Sequence, residues 1–307
     1  MKLGSLCSGN GGLELGVERA LGARTAWQAE IDPAASAVLA EHWPGVPNIG
    51  DIRDTAAMAP VDVLTAGYPC QPFSMAGRRK GEDDPRHLWP AVRAAVAHLG
   101  PGLVVLENVR GHLTLGFDRV LGDLADIGYD AEWRVVRASD VGCCHPRARL
   151  FVVAYPVQQR SSPVAIPSEA TRGGGPADGP PVGRRPAPDP TDLGRQRRGG
   201  TRDGRPGPAD GRGPAVADTN GPSGDAARFG PYAAAVHRWE VHHGPAPDPT
   251  TDGRLNPRFV EWMMGYPPGW VEPAGSRNNQ LRCLGNAVVP QVAEAFCRAL
   301  YAYEEAA

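Results

Sequence analysis

The sequence predicts an α/β fold, a Rossmann-like, doubly wound, mostly parallel sheet with a smaller region rich in Gly, Pro and Arg. Three observations predict it. In the first half of the chain, short apolar, β-branched runs alternate with segments whose apolar residues recur at helical spacing. The first run feeds a glycine-rich turn at the head of a helix. Residues able to do chemistry follow directly on the apolar runs, at the carboxyl ends of strands, where open α/β sheets bind ligands.

Residues 1–6 read as a strand. The turn after it is Cys7-Ser8-Gly9-Asn10-Gly11-Gly12, and the next helix carries Leu13, Val17, Ala20 and Leu21 at apolar spacing. Strand, glycine turn and helix open a nucleotide-binding unit, because glycines let backbone approach a ligand and the helix start offers unpaired N–H groups. A second strand, residues 25–30, ends in Glu30, where a ribose diol is gripped. Asp32 then caps a helix with Pro33 in its first turn. Asp51 follows a short apolar step, placed either to accept from an adenine amino group or to cap the turn at Thr55.

Residues 61–66 form a buried strand that Gly67 ends. Pro69 and Pro72 bracket Cys70 and forbid helix on either side. That leaves a thiol on a stiff loop, a candidate nucleophile if its thiolate is stabilised. Arg78, Arg79 and Lys80 follow in a polar loop that reads as a phosphate-touching lid or as solvated surface. A helix covers 87–99. Residues 103–109 form a continuous apolar strand that ends in Glu107-Asn108, and a buried glutamate is expensive without a task. A helix over 116–127 and a strand over 129–138 come next. In Arg147-Ala148-Arg149 the arginines alternate, so both can point the same way, ahead of a strand over 150–154.

From 155 to 252 apolar periodicity fades and Gly, Pro, Arg and Asp dominate, which reads up to about 217 as low-complexity chain. Residues 229–242, with Tyr232, Val236 and Trp239, look more structured. Order returns at 255–270, where Phe259, Trp262 and Met263 face inward on a short helix, and residues from 284 open a last apolar helix running to 301. The organisation expected is residues 1–154 as the catalytic domain, 155–252 as a target-recognition region and 253–307 returning to the first domain.

The net charge of −2 announces no global attraction to nucleic acid, so any basic surface is local. Lysine occurs only at Lys2 and Lys80. No signal peptide or bilayer-length apolar run is read, which gives a cytoplasmic, monomeric protein with reduced thiols and no membrane association. Cys143-Cys144-His145 lacks the second ligand pair of a zinc site, so no metal is expected.

In order and spacing these pieces resemble the cytosine-5 DNA methyltransferase family. The resemblance rests on the glycine turn, Glu30, Asp51, Pro69-Cys70-Gln71, Glu107-Asn108-Val109, Arg147-Ala148-Arg149, Met264-Gly265-Tyr266-Pro267 and Gly285-Asn286-Ala287-Val288. It implies Cys70 as nucleophile, Glu107 on the cytosine ring nitrogen, Arg149 on the carbonyl oxygen, and Arg147 beside it or on a phosphate. It also implies S-adenosylmethionine held by Cys7, Ser8, Gly9, Gly11, Gly12, Leu13, Glu30, Ile31, Asp51, Ile52, Gly67, Pro69, Leu88, Asn286, Ala287 and Val288. Double-stranded DNA is the implied partner, in DNA methylation of the restriction-modification kind, with tRNA as the alternative substrate. The sequence departs from the family at Cys7-Ser8, where Phe-Ala is common, at Ile31, where an aromatic is frequent, and at His145, which replaces a common glutamine. Deleting residues 176–213 is expected to leave the melting temperature unchanged in a thermal scan; a large loss would show that the segment packs.

Overall fold

A computed structural model describes residues 1–69, 88–157 and 228–304, with backbone alone from 301. Cys70, Gln71 and the Arg78-Arg79-Lys80 loop lie outside the described residues. Among those described, strands β1 (Lys2–Leu6), β2 (Arg24–Ala29), β3 (Val63–Ala66), β4 (Leu103–Val109), β5 (Tyr129–Arg137) and β6 (Ala148–Pro156) make one sheet in the order β2-β1-β3-β4-β6-β5. The first four run parallel. β6 lies antiparallel between β4 and β5, so the mostly parallel sheet of the sequence reading closes with an antiparallel edge.

Helices α1 (Gly12–Leu21), α2 (Pro33–His42), α3 (Trp89–Leu99) and α4 (Phe117–Asp126) separate the strands. Strand alternation sends side chains to both faces. Leu3, Val63, Val105, Phe151 and Val153 join one buried cluster with Leu13 and Val17 of α1. Leu64, Ala66, Val104, Leu106 and Val152 join another, with Val92 and Val96 of α3 and Val120 and Leu124 of α4. The chain leaves β1 toward β2 on one side, and β3 lies on the other. The reversal falls between β1 and β3, which is where a doubly wound sheet opens its crevice.

After residue 228 come α5 (Ala233–His243), a hairpin of β7 (Thr250–Thr251) and β8 (Arg254–Leu255), α6 (Pro257–Met263), α7 (Arg277–Asn286) and α8 (Pro290–Glu304). The structured stretch read within the recognition region packs Phe229, Val236 and Trp239 into the same cluster as Phe259 and Trp262. The expected last helix is interrupted. α7 ends at Asn286, Ala287 is extended (φ −68°, ψ 152°), and α8 restarts at Pro290. A proline suits a first helical turn and drives the residue before it out of helix, so the chain breaks there. The helix read from 87 begins at Trp89, with Pro90 in its first turn.

α8 covers the first cluster by packing on α1 at Gly16. A Cβ there would come 2.5 Å from the Ala293 Cβ and 2.5 Å from the Pro290 carbonyl oxygen. Glycine inside a helix costs about 1 kcal/mol against alanine, yet here it permits the approach that docks the carboxyl-terminal helix. Gly16→Ala is therefore expected to lower Tm despite better helix propensity, by about 1–3 kcal/mol of overpacking, read by thermal denaturation. A raised Tm would show the two helices free to separate.

Candidate active site

Register builds the site. Leu6 of β1 pairs with Ala29 of β2 and Ala66 of β3, and Ala66 pairs with Leu106 of β4. The next residue of each strand therefore falls in one row along the carboxyl edge: Glu30, Cys7, Gly67 and Glu107. A Cβ added to Gly67 would lie 3.8 Å from Glu107 Oε2 and 3.9 Å from the Cys7 carbonyl oxygen, so three of these four are immediate neighbours.

At the β1–β2 end, Glu30 is held by backbone. Gly9 N–H donates to its Oε2 at 2.8 Å and Asp32 N–H to its Oε1 at 2.7 Å. Both oxygens keep a lone pair for another donor. Asp32 caps α2 as expected, accepting from the N–H groups of Ala34 and Ala35. Ile31, next to Glu30, is 71% exposed, an apolar surface facing solvent. Asp51 does not cap the turn at Thr55. It accepts from Arg53 N–H and pairs with the Arg53 guanidinium at 3.0 Å. Ile52 is buried in the apolar cluster under β3.

Cys7 takes a left-handed backbone (φ +53°), which non-glycine residues rarely adopt and which clusters at functional sites. Burial, with Glu30 and Asp51 nearby, pushes its thiol up to about 12. Gly11 and Gly12 open α1 but face protein: added Cβ atoms would meet the Trp43 ring at the first and the Tyr266 hydroxyl at the second.

At the β4 end, Val109 pairs with Arg149 in antiparallel register, which puts Glu107 and Arg149 on one face as diagonal neighbours. Arg149 Nε meets Glu107 Oε1 at 3.1 Å. Glu107 is 8% exposed, and burial raises its carboxyl to about 7 despite the opposing arginines. At neutral pH it is therefore poised between acid and base. Asn108 Nδ2 donates to the Tyr68 carbonyl at 3.0 Å, tying β4 to the chain that leads into residue 70. Arg147 acts on Glu107 and Arg149 through its charge, and its Nη2 donates to the carbonyls of Gly285 and Ala287 at 2.8 and 2.7 Å. The Asn286 between them is exposed, while Ala287 and Val288 are buried. Pro69 is exposed and Leu88 half-buried at the two ends of the undescribed loop.

The profile of the C-5 cytosine-specific DNA methylase family matches residues 1–173. The type II methyltransferase M.NaeI of Lentzea aerocolonigenes is 31% identical over 304 residues, covering 94% of this chain and 72% of that one. The chain belongs to the C-5 cytosine-specific DNA methylase family. The type II methyltransferase M.HgiBI of Herpetosiphon aurantiacus is 37% identical over 163 residues, which cover 50% of this chain and 37% of that protein, so the match spans little more than a third of that relative's length. In fold it is similar to the Dnmt2 methyltransferase of S. pombe (TM-score 0.59, 15% identity, 98% of each chain) and to the Entamoeba histolytica methyltransferase EhMeth (TM-score 0.57, 14% identity, 98% of each chain).

Sequence reading passed over several residues that shape this edge. Glu14 is 1% exposed, and its Oε1 accepts from the hydroxyls of Ser5 and Thr65 while Oε2 has no partner. Ser5 Oγ also contacts Ser8 Oγ at 2.7 Å, and Ser8 Oγ accepts from Ala29 N–H, so this network underlies the glycine turn. A signal existed: Glu14, Val17 and Leu21 share helical spacing, which puts an acid on the buried face. Tyr68 and His112 form another pair. His112 Nδ1 faces the Leu115 carbonyl at 2.9 Å and must donate, so Nε2 accepts from the Tyr68 hydroxyl at 3.0 Å. Burial lowers the His112 pKa and keeps the ring a neutral acceptor.

Burial raises Glu14 from 4.5 to about 7. Its folded form prefers the proton, so the stabilisation is complete below pH 4.5 and is lost as pH rises through about 7, on the order of 3 kcal/mol. Glu107 acts in the same direction. Thermal scans of the ligand-free protein are expected to show Tm falling from pH 5 to 8 by less in Glu14→Gln than in wild type. Equal slopes would mean that Glu14 does not titrate in that window.

Proposed function

We propose that this protein transfers a methyl group from S-adenosylmethionine to carbon 5 of cytosine in double-stranded DNA, using Cys70 as a transient nucleophile on the ring. The observation that carries the reading is the Glu107–Arg149 pair. A carboxyl raised to about 7 lies in ion-pair contact with a guanidinium, one strand position past the buried edge.

The chain's residues fit the methyl donor. Glu30, immobilised by two N–H groups, offers acceptors to a ribose diol. Exposed Ile31 offers an apolar face to a purine, and exposed Asn286 an amide to the amino acid portion. A Cβ on Gly9 would meet nothing within 4 Å, so the turn stays open beside Glu30. S-adenosylmethionine supplies an electrophilic methyl group when bound.

Carbon 5 of cytosine is too weak a nucleophile to take that group unaided. A bond from the Cys70 sulfur to carbon 6 turns the ring into an enamine, while ring nitrogen 3 gains the proton that Glu107 holds. Arg149 stabilises charge that develops at the carbonyl oxygen, in a buried site where such a contact is strong. Carbon 5 then gains the methyl group and loses its proton to a base, the sulfur–carbon 6 bond breaks with both electrons returning to sulfur, and nitrogen 3 gives its proton back to Glu107. Carbon 6 is shielded within a stacked duplex, so the cytosine must leave the helix to react. The described cysteines support this use of Cys70. Burial pushes Cys143 and Cys297 up to about 12 and Cys144 and Cys283 to about 11, and with Cys7 all are neutral thiols.

Incubation with methyl-labelled donor is expected to place label in cytosine of unmodified duplex DNA. Label in tRNA alone would overturn the DNA assignment. Cys70→Ser is expected to abolish transfer while donor binding survives, and Glu107→Gln to slow turnover by about 10²–10⁴-fold. A wild-type rate in Cys70→Ser would remove the covalent step.

A further inference from the structure

Three residues at and just before the start of β6 alternate along the chain, and each reaches a different part of the molecule. His145 Nε2 meets the Met263 carbonyl at 3.0 Å, at the end of α6. Arg147 Nη2 donates to Gly285 and Ala287 at the end of α7. Arg149 pairs with Glu107 on β4.

The Arg147 contact has the character of a helix cap. A helix leaves its last carbonyls without internal partners, and its carboxyl end favours a cation. α7 ends without a glycine in left-handed conformation, since its cap residue Ala287 is extended. The missing donors come instead from a guanidinium far away in sequence. One nitrogen bonds the carbonyls of the residues on either side of Asn286, so it holds the peptide group that leads into this exposed residue and the carbonyl that follows it. Arg147 Nε is buried with no hydrogen-bond partner, which shows the side chain inserted between β6 and the carboxyl-terminal segment rather than extended toward solvent. The Tyr266 hydroxyl donates to the Val288 carbonyl at 2.6 Å and so holds the next stretch of the same loop.

We infer that Arg147 is a positioning residue for methyl-donor binding: by capping α7 it orients Asn286, so that one strand sets the base-side guanidinium and the donor-side amide together. This rests on the function proposed above.

Calorimetry with S-adenosylmethionine and no DNA tests it in wild type, Arg147→Ala and Arg147→Lys, with salt-dependent binding of an unmodified duplex measured in parallel. Arg147→Ala is expected to weaken donor binding by about tenfold or more, and Arg147→Lys by less, since an ammonium still donates to one carbonyl. DNA affinity and its salt slope should stay at wild-type values. Unchanged donor affinity in Arg147→Lys and Arg147→Ala, with DNA affinity and the salt slope reduced, would make Arg147 a phosphate ligand and overturn the inference. A lowered Tm with both affinities intact would also overturn it, by reducing the residue to a structural cap. Donor binding by wild type without methylation of any nucleic acid would sink the proposed function and leave this inference standing.

Discussion

The site depends on one unfavourable placement, a carboxylic acid at the buried end of a central strand. Removing Glu107 from water favours its neutral form, while Arg149 at 3.1 Å and Arg147 favour the charged one. Burial is the larger effect, and the balance leaves the acid near neutrality in proton affinity. A fully exposed carboxylate would already have lost its proton, and a buried one without arginine would hold it too tightly to return it. The antiparallel strand β6 makes this balance possible. Running opposite to β4, it delivers the start of a strand, with its arginines, to the place where β4 delivers its end.

The same edge depends on the carboxyl-terminal segment. Trp270 Nε1 donates to the Asn10 carbonyl at 2.9 Å, Tyr266 reaches both Asn10 and Val288, and His42 stacks on Trp270 at 3.6 Å between centroids. The glycine turn is thus held from below by the Ser5–Glu14–Thr65 network and from the side by residues more than 250 positions later. Gly12 belongs to this clasp, because a side chain there would displace the Tyr266 hydroxyl. Its smallness serves the protein's own packing, a different purpose from the open approach to a ligand that a glycine turn suggests.

Much of the fold was legible because each strand and helix has a local cause. The continuous apolar runs of β3 and β4, Asp32 with Pro33 at the start of α2, and apolar spacing in α1 and α4 all depend on near neighbours. The row along the carboxyl edge was legible at Glu30 and Glu107, because position at a strand end already implies placement on that edge. Arg147 was not. Nothing in Arg147-Ala148-Arg149 distinguishes an arginine that faces Glu107 from one that meets two carbonyls some 140 residues later. Glu14 and the Tyr68–His112 pair escaped for a similar reason: the partner that satisfies each buried polar group comes from a separate strand or turn. The break before α8 was a matter of weight, since the apolar run through 288 and 289 masked the stop that Pro290 imposes.

The contacts that align the edge run between residues 1–157 and 257–291, and α5 joins them through Trp239, whose indole donates to the Trp262 carbonyl at 2.9 Å. The long Gly-, Pro- and Arg-rich stretch is therefore inserted between two parts of one packed unit, entering after β6 and leaving before α5. Among the described residues, β4, β6 and α7 set the angles at the edge through contacts with one another. β6 is under a double constraint, because the chain runs from one of its ends into that stretch and it holds Arg149 at the other, with Arg147 just before it.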